Sequence, residues 1–228
     1  MSRIVIVGGH GKVALLLAPL LVQRGDDVVS LIRNPEQADE VAATGATPLV
    51  VSVEDASQQE LAAAFAGADA VVWSAGAGGK GGLERTTAVD RDAAIRSMEA
   101  ARAASVPRYV MVSFAGSHGE DPVPAEHPLR TYAMAKLAAD RHLVASDLDW
   151  TIVGPGLLTL DEPTGRIGLG REGDAAQAPT SRANVAAVIA AVLAEPASIG
   201  KVIPFRDGET PIAEAIAEVP AEFADLDS

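Results

Sequence analysis

Short apolar runs alternate with helix-length segments along the whole chain. The runs are Ile4–Val7, Val28–Ile32, Leu49–Val53, Ala70–Trp73, Tyr109–Phe114, Thr151–Val153 and Lys201–Phe205. They are rich in Val and Ile and nearly continuous, the pattern of strands buried on both faces of a parallel sheet. Between them lie Ala- and Leu-rich segments, among them Leu83–Ala104 and Leu129–Ala145, long enough for crossover helices. Such alternation predicts βαβ units in an α/β, doubly wound fold of about seven mainly parallel strands with helices on both faces. Neither an internal repeat nor a linker interrupts it, so residues 1–228 are expected to form one domain.

Element boundaries agree with this reading. Asn34-Pro35-Glu36-Gln37 offers an N-cap, a proline at the first helical position and Gln at the third. Ser181 is placed to cap a helix through Val185–Leu193, with Pro196 just beyond its end. Pro19 conflicts with the first helix and predicts a kink or an early end there. Three stretches fit neither helix nor strand: Gly76–Gly82, which carries Lys80, the polar segment 115–130, and the long segment 154–180. Loops of that length are usually functional, and in a parallel sheet all three follow strand C-terminal ends, where ligands bind.

Composition narrows the function classes. Hydrophobic residues make up 48% of the 228 positions, ample for a core, and cysteine is absent, which excludes thiolate metal sites and a thiol nucleophile. With 18 basic against 31 acidic residues the net charge is −13, and such a surface repels nucleic-acid backbones. The longest apolar stretch, Val13–Val22, is too short to cross a bilayer, and the apolar run beginning at Ile4 leaves no room for a signal peptide. The expectation is a cytoplasmic protein acting on a small molecule, with no nucleic-acid or membrane partner. No His, Asp and Glu residues have metal-ligand spacing. Long helices flanking such sheets often pair, so a homodimer remains an open alternative.

Directly after the first run comes Gly8-Gly9-His10-Gly11-Lys12-Val13-Ala14, a G-x-x-G-x-x-A variant of the dinucleotide fingerprint. Gly8 permits the tight turn, Gly11 lets a pyrophosphate approach the helix N-terminus, and Ala14 allows close helix–strand packing. Its setting between strand and helix at the start of a βαβ unit is the one a Rossmann nucleotide site requires. The second run ends Ser30-Leu31-Ile32-Arg33-Asn34 without the acid that usually binds the ribose hydroxyls of NAD. Arg33 can grip a 2′-phosphate, with Lys12 as a second positive charge, which favours NADPH over NADH.

Tyr132 and Lys136 are four residues apart in a predicted helix and so share a face. Carbonyl reduction needs a proton donor beside the hydride; an adjacent ammonium would lower the phenol pKa and could also hold the cofactor ribose. Ser113, at the end of the fifth run, is placed to hydrogen-bond a substrate oxygen, and Asp90 to orient the lysine through water. His118 and His127 fall in the loop before the helix, as solvated residues in preference to lining a substrate entrance, whereas Asp140 and His142 are expected on the surface. Glu214 to Asp227 reads as a solvated helix and a frayed end.

These motifs together resemble the atypical short-chain dehydrogenase/reductases, in their NAD(P)H-binding, NmrA-like and epimerase-like group. The resemblance covers nearly the whole chain and rests on Ile4–Ala14, Leu31–Pro35, Ala70–Gly82, Tyr109–Ser113, the Tyr132/Lys136 pair and Asp149–Gly156. It implies cofactor contacts at Gly8, His10, Gly11, Lys12, Val13, Arg33, Ser74, Ala75, Gly76, Lys136 and Pro155. It implies catalysis by Ser113, Tyr132 and Lys136 with Asp90 in support. Asp90 stands where classical members have asparagine, Gly154 where arginine is frequent, and Ser52 where an aspartate is frequent. The implied function is NADP-dependent oxidoreduction of a small carbonyl, alcohol or quinone-like substrate. A non-catalytic NADP(H) redox sensor and an epimerase or dehydratase are the alternatives.

Overall fold

The computed structural model describes residues 1–78, 81–120, 122–170 and 176–226. Each of the seven apolar runs overlaps a strand. These are β1 (Arg3–Val7), β2 (Asp27–Ile32), β3 (Thr47–Val50), β4 (Ala70–Trp73), β5 (Arg108–Val112), β6 (Asp149–Pro155) and, later in the chain, Lys201–Asp207. Four short strands raise the total above the expected seven: β7 (Leu157–Thr159), β8 (Arg166–Leu169) and β9 (Pro179–Ser181) precede Lys201–Asp207, which is therefore β10, and β11 (Thr210–Pro211) follows it. Segment 154–180, expected to be irregular, thus holds β7, β8 and β9.

Among the described residues nine strands form one sheet in the order β11-β8-β10-β6-β5-β4-β1-β2-β3, and β7 pairs with β9 in a small second sheet. The seven long-run strands are mutually parallel, whereas β8 is antiparallel to both β10 and β11. Register places Ile6 of β1 between Ser30 of β2 and Val72 of β4. The order reverses between β1 and β4, and a crevice opens there at the strand C-termini.

Helices cover both faces. One core joins Ile4, Ile6, Val110 and Ile203 to residues of α1 (Lys12–Gln23), α2 (Ala38–Ala42), α7 (Arg182–Ala194) and α8 (Ile212–Ala217). The opposite core joins Val5, Val71, Trp73 and Met111 to α3 (Gln58–Phe65), α5 (Ala94–Ala103) and α6 (Arg130–Val144). Ahead of α5 the chain forms α4 (Gly82–Thr87) and a π-helical turn over Ala88–Ala93. β3, at the sheet edge, departs from the doubly buried pattern, with Thr47, Leu49 and Val50 exposed.

Local signals act where expected. Asn34 Oδ1 accepts from Glu36 N at 3.1 Å and Gln37 Oε1 from Asn34 N at 3.4 Å, capping a short 3-10 turn that leads into α2. Ser181 Oγ accepts from Ala183 N at the start of α7. Pro19 does not end α1, which continues to Gln23. Proline removes only its own donor, while Leu17, Ala18 and Leu21 stay buried around it. The helix closes in a Schellman arrangement, with Asp26 N on Leu21 O, Gly25 N on Val22 O and Gly25 at φ +92°. Ile212, Ala215, Ile216 and Leu226 are buried, so the C-terminal segment packs against the body more than its acidity suggested.

Candidate active site

The β1–α1 turn forms one wall of a cleft at the sheet reversal, where Gly8, His10, Gly11, Arg33, Ser74, Ala75 and Gly76 meet. Gly8 sits at φ +81°, and a Cβ there would lie 2.7 Å from the Ala75 Cα. A Cβ on Gly9 would lie 2.5 Å from that of Ser30. The glycines therefore let β1, β2 and β4 close together beneath the turn. Gly11 caps α1 in extended conformation with no side-chain cap, leaving the first helical N–H groups open to an anion. This cradle fits a dinucleotide pyrophosphate. Lys12 and Val13 begin α1 but do not line the cleft; Val13 is buried and Lys12 faces solvent. Lys80 lies outside the described residues. Ser52, where the group has aspartate, turns away from the cleft and donates to Asp55 Oδ2 at 2.6 Å.

The far end of the cleft carries residues that no motif announced. Glu54, in the turn after β3, accepts from Arg33 Nη1 at 2.7 Å, from Arg85 Nη2 at 2.6 Å and from Arg85 Nε at 2.9 Å. Hydrogen bonds from Arg85, and then from Arg33, hold the Glu54 carboxyl below the usual range despite partial burial. Gln37, Val51 and Val53 complete this end.

Two of the expected catalytic residues, Tyr132 and Lys136, lie on α6, and with Asp140 they recur at four-residue intervals on one stripe. Lys136 Nζ donates to Val112 O at 2.7 Å and stands 3.9 Å from Asp90 Oδ1. Asp90 is held by the π-helical turn and accepts from Ala77 N at 3.1 Å at Oδ2, which leaves its Oδ1 facing the lysine beyond direct hydrogen-bond distance. Tyr132 stacks on Phe114, ring centroids 5.4 Å apart. Its pKa is raised rather than lowered: burial comes first among the causes, then the charges of Asp90 and Asp140. Lys136 therefore does not draw the phenol toward phenolate as the spacing predicted, because its ammonium is committed to Val112 and set between two carboxylates.

Asp140, expected on the surface, is fully buried. Its Oδ2 accepts from both Ser113 Oγ and Ser117 Oγ, and its Oδ1 is buried without a partner. Ser113 thus spends its hydroxyl proton on Asp140 instead of leaving it for a substrate oxygen. Burial pushes the Asp140 carboxyl up, against the opposing pull of Lys136 and the two serines. His142 is half-buried and shares a 2.9 Å contact with Glu99. Pro155 ends β6, buried, with its carbonyl on Ala115 N, which ties β6 to the turn after Ser113. His127 Nδ1 accepts from Leu129 N and His118 is exposed, both outside the cleft. Among the described residues no cluster of three metal-ligating side chains exists, and no helix is long and apolar enough to cross a membrane.

Comparison with known proteins agrees with this geometry. A family model described as NAD(P)H-binding matches residues 8–196. An uncharacterized sugar epimerase of Bacillus subtilis is 33% identical over 95% of this chain and 100% of its own length. The solved structure of a putative NAD-dependent epimerase/dehydratase from Bacillus halodurans superposes with a TM-score of 0.88, at 34% identity over 96% of this chain and 100% of that one. An oxidoreductase structure from Lactococcus lactis gives a TM-score of 0.84, at 31% identity over 95% and 96% of the two chains.

Proposed function

The chain belongs to the NAD(P)H-binding family, and we propose that its Rossmann cleft seats the nicotinamide cofactor of an NADP-dependent oxidoreductase of the short-chain dehydrogenase/reductase type. The substrate class is a small carbonyl, alcohol or quinone-like compound. The observation that carries the reading is the joint placement of an open glycine cradle and a Tyr132–Lys136 pair, the lysine buried and the tyrosine half-buried, at the same end of the sheet. NADPH is preferred because β2 is followed by Arg33 rather than by an acid. The same reading treats the chain as one functional unit working in the cytoplasm on a small molecule.

A nicotinamide held in the cleft would supply or accept the hydride; the remaining work falls to this chain. Burial and two neighbouring carboxylates keep Tyr132 protonated, so its Oη is poised to give a proton to a substrate oxygen as charge develops there. That is the role reduction demands. Lys136 spends one donor on Val112 O and has further N–H groups for ribose hydroxyls. Asp140 holds Ser113 and Ser117, fixing the turn that forms the floor of the substrate side.

The test is turnover of a carbonyl panel with NADPH by wild type and Tyr132→Phe. Wild type should reduce at least one member, and the variant should bind NADPH normally yet lose about a hundredfold or more in kcat. Equal rates in both proteins would refute the assignment. The names of the B. subtilis and B. halodurans relatives favour a second reading, epimerase or dehydratase chemistry, for which cofactor retained through purification and unchanged in redox state after turnover is the mark.

A further inference from the structure

Three separate chain segments meet at the end of the cleft remote from Tyr132. Arg33 follows β2, Glu54 lies in the turn after β3, and Arg85 stands on α4. The single carboxylate receives three N–H groups from the two guanidiniums, at 2.6–2.9 Å. Arg85 is further anchored by Nη1 on Ala77 O at 3.2 Å, which ties it to the loop after β4. Arg33 is the more exposed of the pair, with 58% of its side chain open to solvent against 24% for Arg85. Two fixed positive forks thus converge on one acceptor within the cleft, and the trio keeps a net charge of +1.

We propose that Arg33 and Arg85 together form the seat for the 2′-phosphate of the cofactor, and that Glu54 fills this seat as an internal stand-in that turns out when the phosphate arrives. The inference rests on the dinucleotide reading above and adds to it a second arginine and a competing carboxylate. The geometry supplies the reason. Glu54 already draws both guanidiniums into the convergent arrangement that a tetrahedral oxyanion needs. A phosphomonoester brings more acceptor oxygens and about −1.5 to −2 charges, so it satisfies both forks more completely than one carboxylate does. Both anions cannot share the seat, because their like charges would stand within a few ångströms of each other. Phosphate binding is therefore reduced by the work of displacing Glu54. A cofactor lacking the 2′-phosphate meets no such competition and finds Glu54 in place, with lone pairs left to accept from its ribose hydroxyls. Discrimination between NADPH and NADH is in this way set by Glu54 and Arg85 as much as by Arg33.

The experiment is calorimetric titration of the full chain with NADPH, NADH, adenosine 2′,5′-bisphosphate and 5′-AMP. Wild type, Arg85→Gln and Glu54→Gln are compared, with a thermal melt of each to show that it is folded. Arg85→Gln should weaken NADPH and the bisphosphate about tenfold, as expected for loss of a charge-assisted pair, and leave NADH and 5′-AMP within about twofold. Glu54→Gln should tighten NADPH and the bisphosphate by about three- to tenfold and not tighten NADH. Should Arg85→Gln fail to fold, Glu54→Gln alone decides. Equal shifts for the phosphorylated and unphosphorylated nucleotides, or Glu54→Gln weakening NADH while NADPH stays put, would overturn the proposal and make Glu54 a ribose-hydroxyl acceptor only. Absence of binding by NADPH and NADH alike in the wild type would instead overturn the dinucleotide reading itself.

Discussion

Replacing Asp140 by Asn should change the slope of stability against pH. The carboxyl is fully buried, with both serine hydroxyls on Oδ2 and an unpartnered Oδ1. Burial raises its pKa above the ordinary carboxylate value in the folded protein, whereas an unfolded chain returns it to about 3.9. Between that lower value and the raised one, the folded state binds more protons than the unfolded. Stability then falls as pH rises, by about 1.4 kcal/mol per pH unit, until the folded carboxyl has ionised. Below about pH 4 both states are protonated and the group contributes no slope. Asparagine keeps an acceptor for the serines but cannot ionise, and it sets an amide NH₂ where Oδ1 had no partner, costing about 1–3 kcal/mol. Urea denaturation from about pH 4.5 to about pH 7.5 should therefore show the variant less stable at the acid end. Its deficit should shrink or reverse as pH rises. Other carboxylates, such as Glu54 beside Arg85 and Glu99 beside His142, have lowered pKa values and the opposite slope, and they cancel in the difference. Parallel stability–pH curves for the two proteins would refute the reasoning, since they would mean that Lys136 and the serines offset burial completely.

Other substitutions probe the framework. Gly8→Ala forces an L-residue into φ +81° at about 1–2 kcal/mol and drives its Cβ against the Ala75 backbone; denaturation should show the loss and calorimetry a weakened NADPH complex. Arg108 donates to Asp149 O, Thr151 Oγ1, Val192 O and Ser198 Oγ, tying β5 to β6 and α7, so Arg108→Met should cost about 2–4 kcal/mol in urea unfolding without touching the cleft. Ser57 and Glu60 cap α3 reciprocally, and Ser57→Ala should cost about 1 kcal/mol in the same measurement. Because the Tyr132 pKa is raised, reductive turnover should show no alkaline loss from this phenol at or below its ordinary value near 10.

The parallel strands were legible because burial on both faces selects unbroken Val and Ile runs, and the glycine turn because its conformations admit few other residues. The short strands were not. β7, β8, β9 and β11 have two to four residues each, are partly exposed, and carry no run for the eye to find. Arg33 was found from its place at a strand end, but Glu54 and Arg85 are 31 positions apart and meet only because β3 and α4 border one cleft. Spacing rules do not reach across such separations. Asp140 carried a usable signal, standing four residues after Lys136 on the stripe that begins at Tyr132. An acid in a polar-looking helix normally faces water, and only the serines of the β5 turn, 27 and 23 positions earlier, reverse that expectation. The direction of the Tyr132 shift was missed for a related reason, since it depends first on burial and then on the charges of Asp90 and Asp140, which act together only in the folded chain.

The order of strands in the sheet bears on how the chain is made. The first four to leave a ribosome already neighbour one another as β4-β1-β2-β3, and β5, β6 and β10 then extend the free side in the order of synthesis. Growth from the centre outward needs no strand to be inserted between two others, apart from β10, which comes to lie between β6 and β8, both made before it. The first helix has a longer wait. α1 packs against α7, so the apolar surface of Lys12–Gln23 gains its cover only when Arg182–Ala194 has been made. A fragment that stopped after β5 would hold every residue of the glycine cradle and still present bare hydrocarbon to water. Synthesis of the nucleotide half is finished early, but its protection is not, and the interval is when a nascent chain is most in need of a chaperone.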